Sequence, residues 1–91
     1  MPTFDFQVVL NGIQEMDEQT AETLYSAGCD DGTPFSRDGF AAVGFSRDAA
    51  TLEDAIRSAI SDVNRAGFTV AHVEPADESV YVKINQELTQ H

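Results

Sequence analysis

Between Thr51 and Gly67 the sequence TLEDAIRSAISDVNRAG writes one amphipathic helix, with period-two segments on either side of it. Leu52, Ala55, Ile56, Ala59, Ile60 and Val63 follow the 3, 4, 7, 8, 11 spacing of a single apolar stripe. A helix of this kind cannot bury its stripe alone and must lie on another layer, which the flanking segments supply as a sheet. Thr51 is placed as the N-cap with Asp54 three residues on, and Arg65 followed by Gly67 is an ending that helices prefer.

The segment TFDFQVVLNG alternates, with Phe4, Phe6, Val8 and Leu10 on one side, Asp5, Gln7 and Asn11 on the other, and Val9 as the exception. Asn11-Gly12 closes it with turn chemistry. A second helix is expected from Asp17, its N-cap, to Ala27, with Ala21, Leu24 and Tyr25 as a modest stripe and Gly28 ending it in a left-handed conformation. GTPFSRDGFAAVGFSRD reads as two strands around Ser36–Gly39, since Asp-Gly is a hairpin signal. In the later strand Phe40, Ala42, Gly44 and Ser46 share one face and Ala41, Val43 and Phe45 the other; Gly44 points to a close approach or a bulge. FTVAHVEP is a further strand, with His72 on the side of Phe68 and Val70, and SVYVKI an optional last one.

The order is therefore β-α-β-β-α-β, an α+β chain of the ferredoxin-like type over residues 1–77, with right-handed crossovers and residues 78–91 as a fifth strand or a tail. Its expected core takes Phe4, Phe6, Val8, Phe40 and Phe45, with the Thr51–Gly67 helix covering the sheet. At 91 residues and 42% apolar content, one core is just sufficient. A lone cysteine excludes an internal disulfide and any zinc or iron–sulfur site built on several cysteines. No apolar run approaches the roughly 20 residues that cross a bilayer, and no signal peptide is visible, so a cytoplasmic chain is expected.

Sixteen acidic residues against five basic ones leave a net charge of −11, which opposes direct contact with DNA or RNA. Such acidity serves solubility or a salty cell interior, or else it meets a basic protein partner. The segment AGCDDG looks most like chemistry, yet its pattern argues against it. Cys29 sits at a helix C-terminus beside Asp30 and Asp31, and all of these oppose a thiolate. The aspartates do not make a calcium loop, because Gly32, Pro34 and Ala41 stand where ligands are required. No phosphate loop, metal pair or nucleophile–base set is present, so no catalytic residue, metal or cofactor is expected. His72 reads as a hydrogen-bonded core or interface residue. The arginines are expected to tie elements to nearby acids, with Arg47–Asp48 the first local pair, or to meet an anionic ligand. The candidate ligand or interface residues are Asn11, Gly12, Cys29, Asp30, Asp31 and Arg47.

Residues 4–77 resemble a family of small bacterial proteins in which an N-terminal domain of this pattern often precedes a helix-turn-helix. The likeness rests on Gly28, Cys29, Asp30 and Asp31, then on Arg47, Ala50, Leu52, Ala55 and Ile56 before Ala66-Gly67. ESVYVKINQELTQH stands where the family pattern has its helix-turn-helix, so the DNA-binding part transfers to no residue here. The chain is then a piece of a longer regulator or a stand-alone member. A weaker likeness, through DGFAAVGFSRDAATLEDAI, is to HicB-type antitoxins, although the helix at Asp17–Ala27 breaks that pattern. The resemblance implies a non-catalytic regulatory or assembly domain, dimeric through a sheet face or edge. The alternatives are a small-ligand sensor and an acidic antitoxin or nucleic-acid mimic.

Overall fold

In the computed structural model, which describes residues 1–75, the elements follow in the order β1 (Thr3–Leu10), α1 (Glu18–Ser26), β2 (Gly32–Arg37), β3 (Phe40–Asp48), α2 (Leu52–Arg65) and β4 (Val70–Pro75). The fifth strand expected around Val80–Ile84 lies outside the described residues. The four strands form one sheet in the order β2-β3-β1-β4, with every neighbouring pair antiparallel. Two split β-α-β units are thus interleaved: β3 lies between β1 and β2, and β1 lies between β3 and β4. The chain is α+β, and this arrangement is compatible with the ferredoxin-like one.

The helix caps follow from the sequence. Asp17 accepts the Thr20 amide at 2.7 Å and Thr51 accepts the Asp54 amide at 3.1 Å. Both helices also end alike. At α1 the Gly28 amide reaches the Tyr25 carbonyl and the Cys29 amide the Leu24 carbonyl; at α2 Gly67 reaches Asn64 and Phe68 reaches Val63. This is the Schellman ending, with a positive-φ glycine followed by an apolar residue that folds back onto the helix. Cys29 and Phe68 are those apolar residues, and both pack on the core. The cysteine of AGCDDG therefore occupies the place that phenylalanine takes at the other helix.

The core joins Phe6, Val8 and Leu10 of β1 to Ala41, Val43 and Phe45 of β3, beneath Leu24 of α1 and Ala55, Ala59 and Val63 of α2. Phe6 and Phe45, direct register partners, stack at 5.5 Å between centroids. Phe40 is not in this core. Strand parity sends it to the opposite face with Ala42, where the Arg37 guanidinium covers its ring at 5.2 Å. Tyr25, expected in the α1 stripe, is 65% exposed. The expected α2 stripe divides into two parallel rows. Ala55, Ala59 and Val63 face the sheet, whereas Leu52 is 47% exposed and Ile56 and Ile60 are half-buried on the flank.

Two local readings also change. The register shifts between Val9 and Leu10, whose partners in β4 are His72 and Val70, so Ala71 is an extra residue. This bulge reverses the alternation, putting His72 on the open face opposite Val70, where it is exposed and pairs with Glu74 at 2.6 Å. Gly44 is neither a bulge nor a tight approach: a Cβ there would meet its nearest atoms at 3.8 and 3.9 Å. The tight glycine within the strands is Gly32, where a Cβ would stand 2.5 Å from Val43 Cγ1. Gly32→Ala is therefore expected to lower unfolding free energy by about 1–3 kcal/mol in urea titration, while Gly44→Ala leaves it unchanged or slightly raised.

Candidate functional site: the Arg47 centre

Four of the six residues singled out in the sequence converge, at the end of the sheet where β1 begins. The Schellman turn after α1 delivers Gly28, Cys29, Asp30 and Asp31 beside β3, where the Asp31 carbonyl accepts the Ser46 amide at 3.3 Å. Alternation in β3 places Arg47 on the core face, two residues beyond Phe45, opposite Phe4 of β1. Arg47 is 8% exposed, the one charged residue among the buried side chains described.

A buried guanidinium needs an acceptor for each of its five N–H groups. Here each has one. Nε donates to Asp31 Oδ2 and Nη2 to Asp31 Oδ1, both at 2.8 Å, a bidentate pair. Nη2 also donates to the Gly28 carbonyl at 3.1 Å. Nη1 donates to Ser58 Oγ at 3.1 Å and pairs with Asp62 Oδ2 at 2.9 Å. The group lies over the Phe45 ring at 4.9 Å, and Arg65 adds contacts to Asp62 Oδ1 at 3.4 Å and to the Ala27 carbonyl at 3.3 Å. The Arg47–Asp48 pair expected from adjacency does not form: successive strand residues point to opposite faces, and Asp48 instead accepts the Thr3 hydroxyl.

Gly28 is required twice at this centre. Its φ of +121° suits glycine alone, and a Cβ would stand 2.9 Å from the Asp62 carboxyl carbon. The titration of the neighbouring groups follows from the same contacts. The hydrogen bonds from Arg47 hold the Asp31 carboxyl below its usual range, against the opposing effect of burial. Arg47 is raised, first by its hydrogen bonds to Asp31. Burial pushes the Cys29 thiol up to about 11; the Asp62 charge adds to this, Arg47 opposes it, and Asp31 and Asp30 contribute less. A thiol so raised favours its protonated form at neutral pH, which disfavours nucleophilic attack.

Asn11 and Gly12 lie elsewhere. Asn11 follows the far end of β1, donating its amide to the Thr69 carbonyl at 2.8 Å. Phe4 marks the arginine end of the same strand, so the two sets stand roughly 20 Å apart along it. They do not form one pocket. Asp30 is exposed at the rim. Sequence reasoning missed Ser58 and Asp62, although with Arg65 they make a polar row on α2 beside its apolar stripe. Among the described residues no group of three or more His, Cys, Asp or Glu side chains is placed to hold a metal ion. No described helix is long and apolar enough to cross a membrane.

Comparison with known proteins gives no match: no family model, no curated protein and no solved structure is similar to this chain.

The depressed Asp31 carboxyl makes stability depend on acid. It titrates near 3.8 when unfolded and lower when folded, so its contribution is complete above that value and is lost as pH falls through the folded value. Urea unfolding midpoints are expected to fall steeply below about pH 4, and less steeply in Asp31→Asn, whose midpoint is already lowered at pH 7.

Proposed function

We propose that this chain is a non-catalytic regulatory or assembly domain that works by protein–protein contact, in the setting of a transcription-type regulator. The reading is supported by where the side chains are used. The residues that most resemble chemistry are satisfied within the fold: Arg47 directs every donor to Asp31, Gly28, Ser58 and Asp62, and the Cys29 thiol is buried and protonated. Asn11 and Gly12 stand at the opposite end of β1 from Cys29 and Asp31, which speaks against a small-ligand pocket shared by these four.

One observation carries the proposal. Leu52, Ile56 and Ile60 form an apolar row along the flank of α2, at the margin of an open groove that also takes in Glu53 and Arg57. Ala55, Ala59 and Val63 are the residues of α2 buried against the sheet; Ile56 packs against the edge of that core, and the row still leaves Leu52 exposed and Ile56 and Ile60 half-buried. A contiguous apolar patch left at a surface and rimmed by polar residues is a mark of contact with another macromolecule.

The reading predicts that affinity-tagged full-length chain, cross-linked in its own cells, retains a defined set of proteins, and that Leu52→Glu removes at least one of them. Leu52 is exposed enough for that change to leave the fold intact, which circular dichroism would check. Identical recovery by the two forms would overturn the proposal.

A further inference from the structure

We infer that the Leu52–Ile56–Ile60 row is a self-association surface, pairing antiparallel with the same row of a second copy across a two-fold axis at Ile56. The inference rests on the protein-contact reading above and commits it to one partner.

The spacing fits such an axis. The three residues recur every fourth position, so at 1.5 Å per residue the row is about 12 Å long, with Ile56 at its centre. A two-fold through that centre sets Leu52 against the partner's Ile60 and Ile56 against the partner's Ile56, a self-complementary contact. Charge selects the partner as well. Elsewhere the surface is dominated by acids, but the flank of the row holds one acid and one base, Glu53 and Arg57, 3.1 Å apart and both largely exposed. Antiparallel pairing brings Arg57 of one copy alongside Glu53 of the other, twice over. The like-charge repulsion expected of two chains of net charge −11 is thus reduced at this patch. A basic partner would meet Arg57 instead, and an acidic one Glu53.

One row from one helix is a small interface, so the dimer is weak and concentration-dependent. The remaining negative charge opposes it over long range, where salt screens. Association is therefore expected to strengthen with salt, the reverse of a complex with a basic protein.

Sedimentation equilibrium of the full-length chain, from micromolar to millimolar concentration at low and high salt, tests this. A shift from monomer toward dimer that grows with salt is expected. Arg57→Glu, which sets glutamates against glutamates, is expected to weaken dimerisation at least about tenfold. Glu53→Arg combined with Arg57→Glu restores opposite pairing and is expected to return it to near the parent value. Both side chains are more than 70% exposed, so these changes spare the core. The inference is overturned by a chain that stays monomeric at millimolar concentration. It is also overturned by a dimer indifferent to both charge variants, or by nuclear Overhauser contacts from Leu52 and Ile60 to residues 76–91 of the same molecule. A monomer that still loses a cellular partner on Leu52→Glu would remove the self-pairing alone and leave the broader reading standing.

Discussion

A guanidinium carried into the core by strand alternation must find acceptors for all its donors, and the position of Arg47 makes that demand govern its surroundings. Its acceptors come from two stretches distant in sequence: the α1–β2 connection, at Gly28 and Asp31, and two turns of α2, at Ser58 and Asp62. The α1–β2 connection must therefore arrive with the Gly28 carbonyl and the Asp31 carboxylate both turned inward. The positive φ of Gly28 makes this possible, and the absence of a Cβ leaves room for Asp62. The need is greatest at α1, which buries only Leu24 in the core. With so little apolar anchorage, the end of that helix is fixed largely by Arg47 and Arg65 holding its last carbonyls.

The small residues of α2 have the complementary effect. Ala55 and Ala59 let the helix settle closely on β1 and β3, where the aromatic pair Phe6–Phe45 and the valines supply the bulk. A helix seated on alanines turns its larger side chains to the flank, and Leu52, Ile56 and Ile60 lie there. The same residue choice that closes the core thus creates the surface through which the domain is proposed to act. Arg47, Asp31 and Cys29 are drawn inward at the arginine centre, while Leu52, Ile56 and Ile60 are left at the flank.

Local signals in the sequence were dependable. Asp17 and Thr51 cap their helices, Gly28 and Gly67 end them, and Asp38-Gly39, both at positive φ, turn the hairpin between β2 and β3. These features depend on neighbouring residues alone. What was not legible depends on residues far apart. The acceptors of Arg47 lie 16, 19 and 11 positions away at Asp31, Gly28 and Ser58, and nothing local marks them. The bulge at Ala71 has no glycine to announce it, and it turns His72 to the face that simple alternation gives to its neighbours. Phe40 and Phe45 are both large and apolar, but five positions of a strand set them on opposite faces, and only Phe45 enters the core. Gly32, which opens β2, is required by the Val43 side chain of β3, whereas Gly44 looked equally special and is not. The two rows of α2 share one helical period, and only the sheet beneath shows which is buried.

The central claim is that AGCDDG and Arg47 form a structural clamp. A double-mutant cycle on Asp31 and Arg47 measures it most directly, using Asp31→Asn, Arg47→Met and the combination, each unfolded in urea at pH 7. A clamp of partly buried, bidentate geometry predicts a coupling of about 1.5–3 kcal/mol, with the double variant losing far less than the two single losses together. A coupling below about 0.5 kcal/mol, as solvent-exposed pairs give, would contradict the account and free both residues for another role.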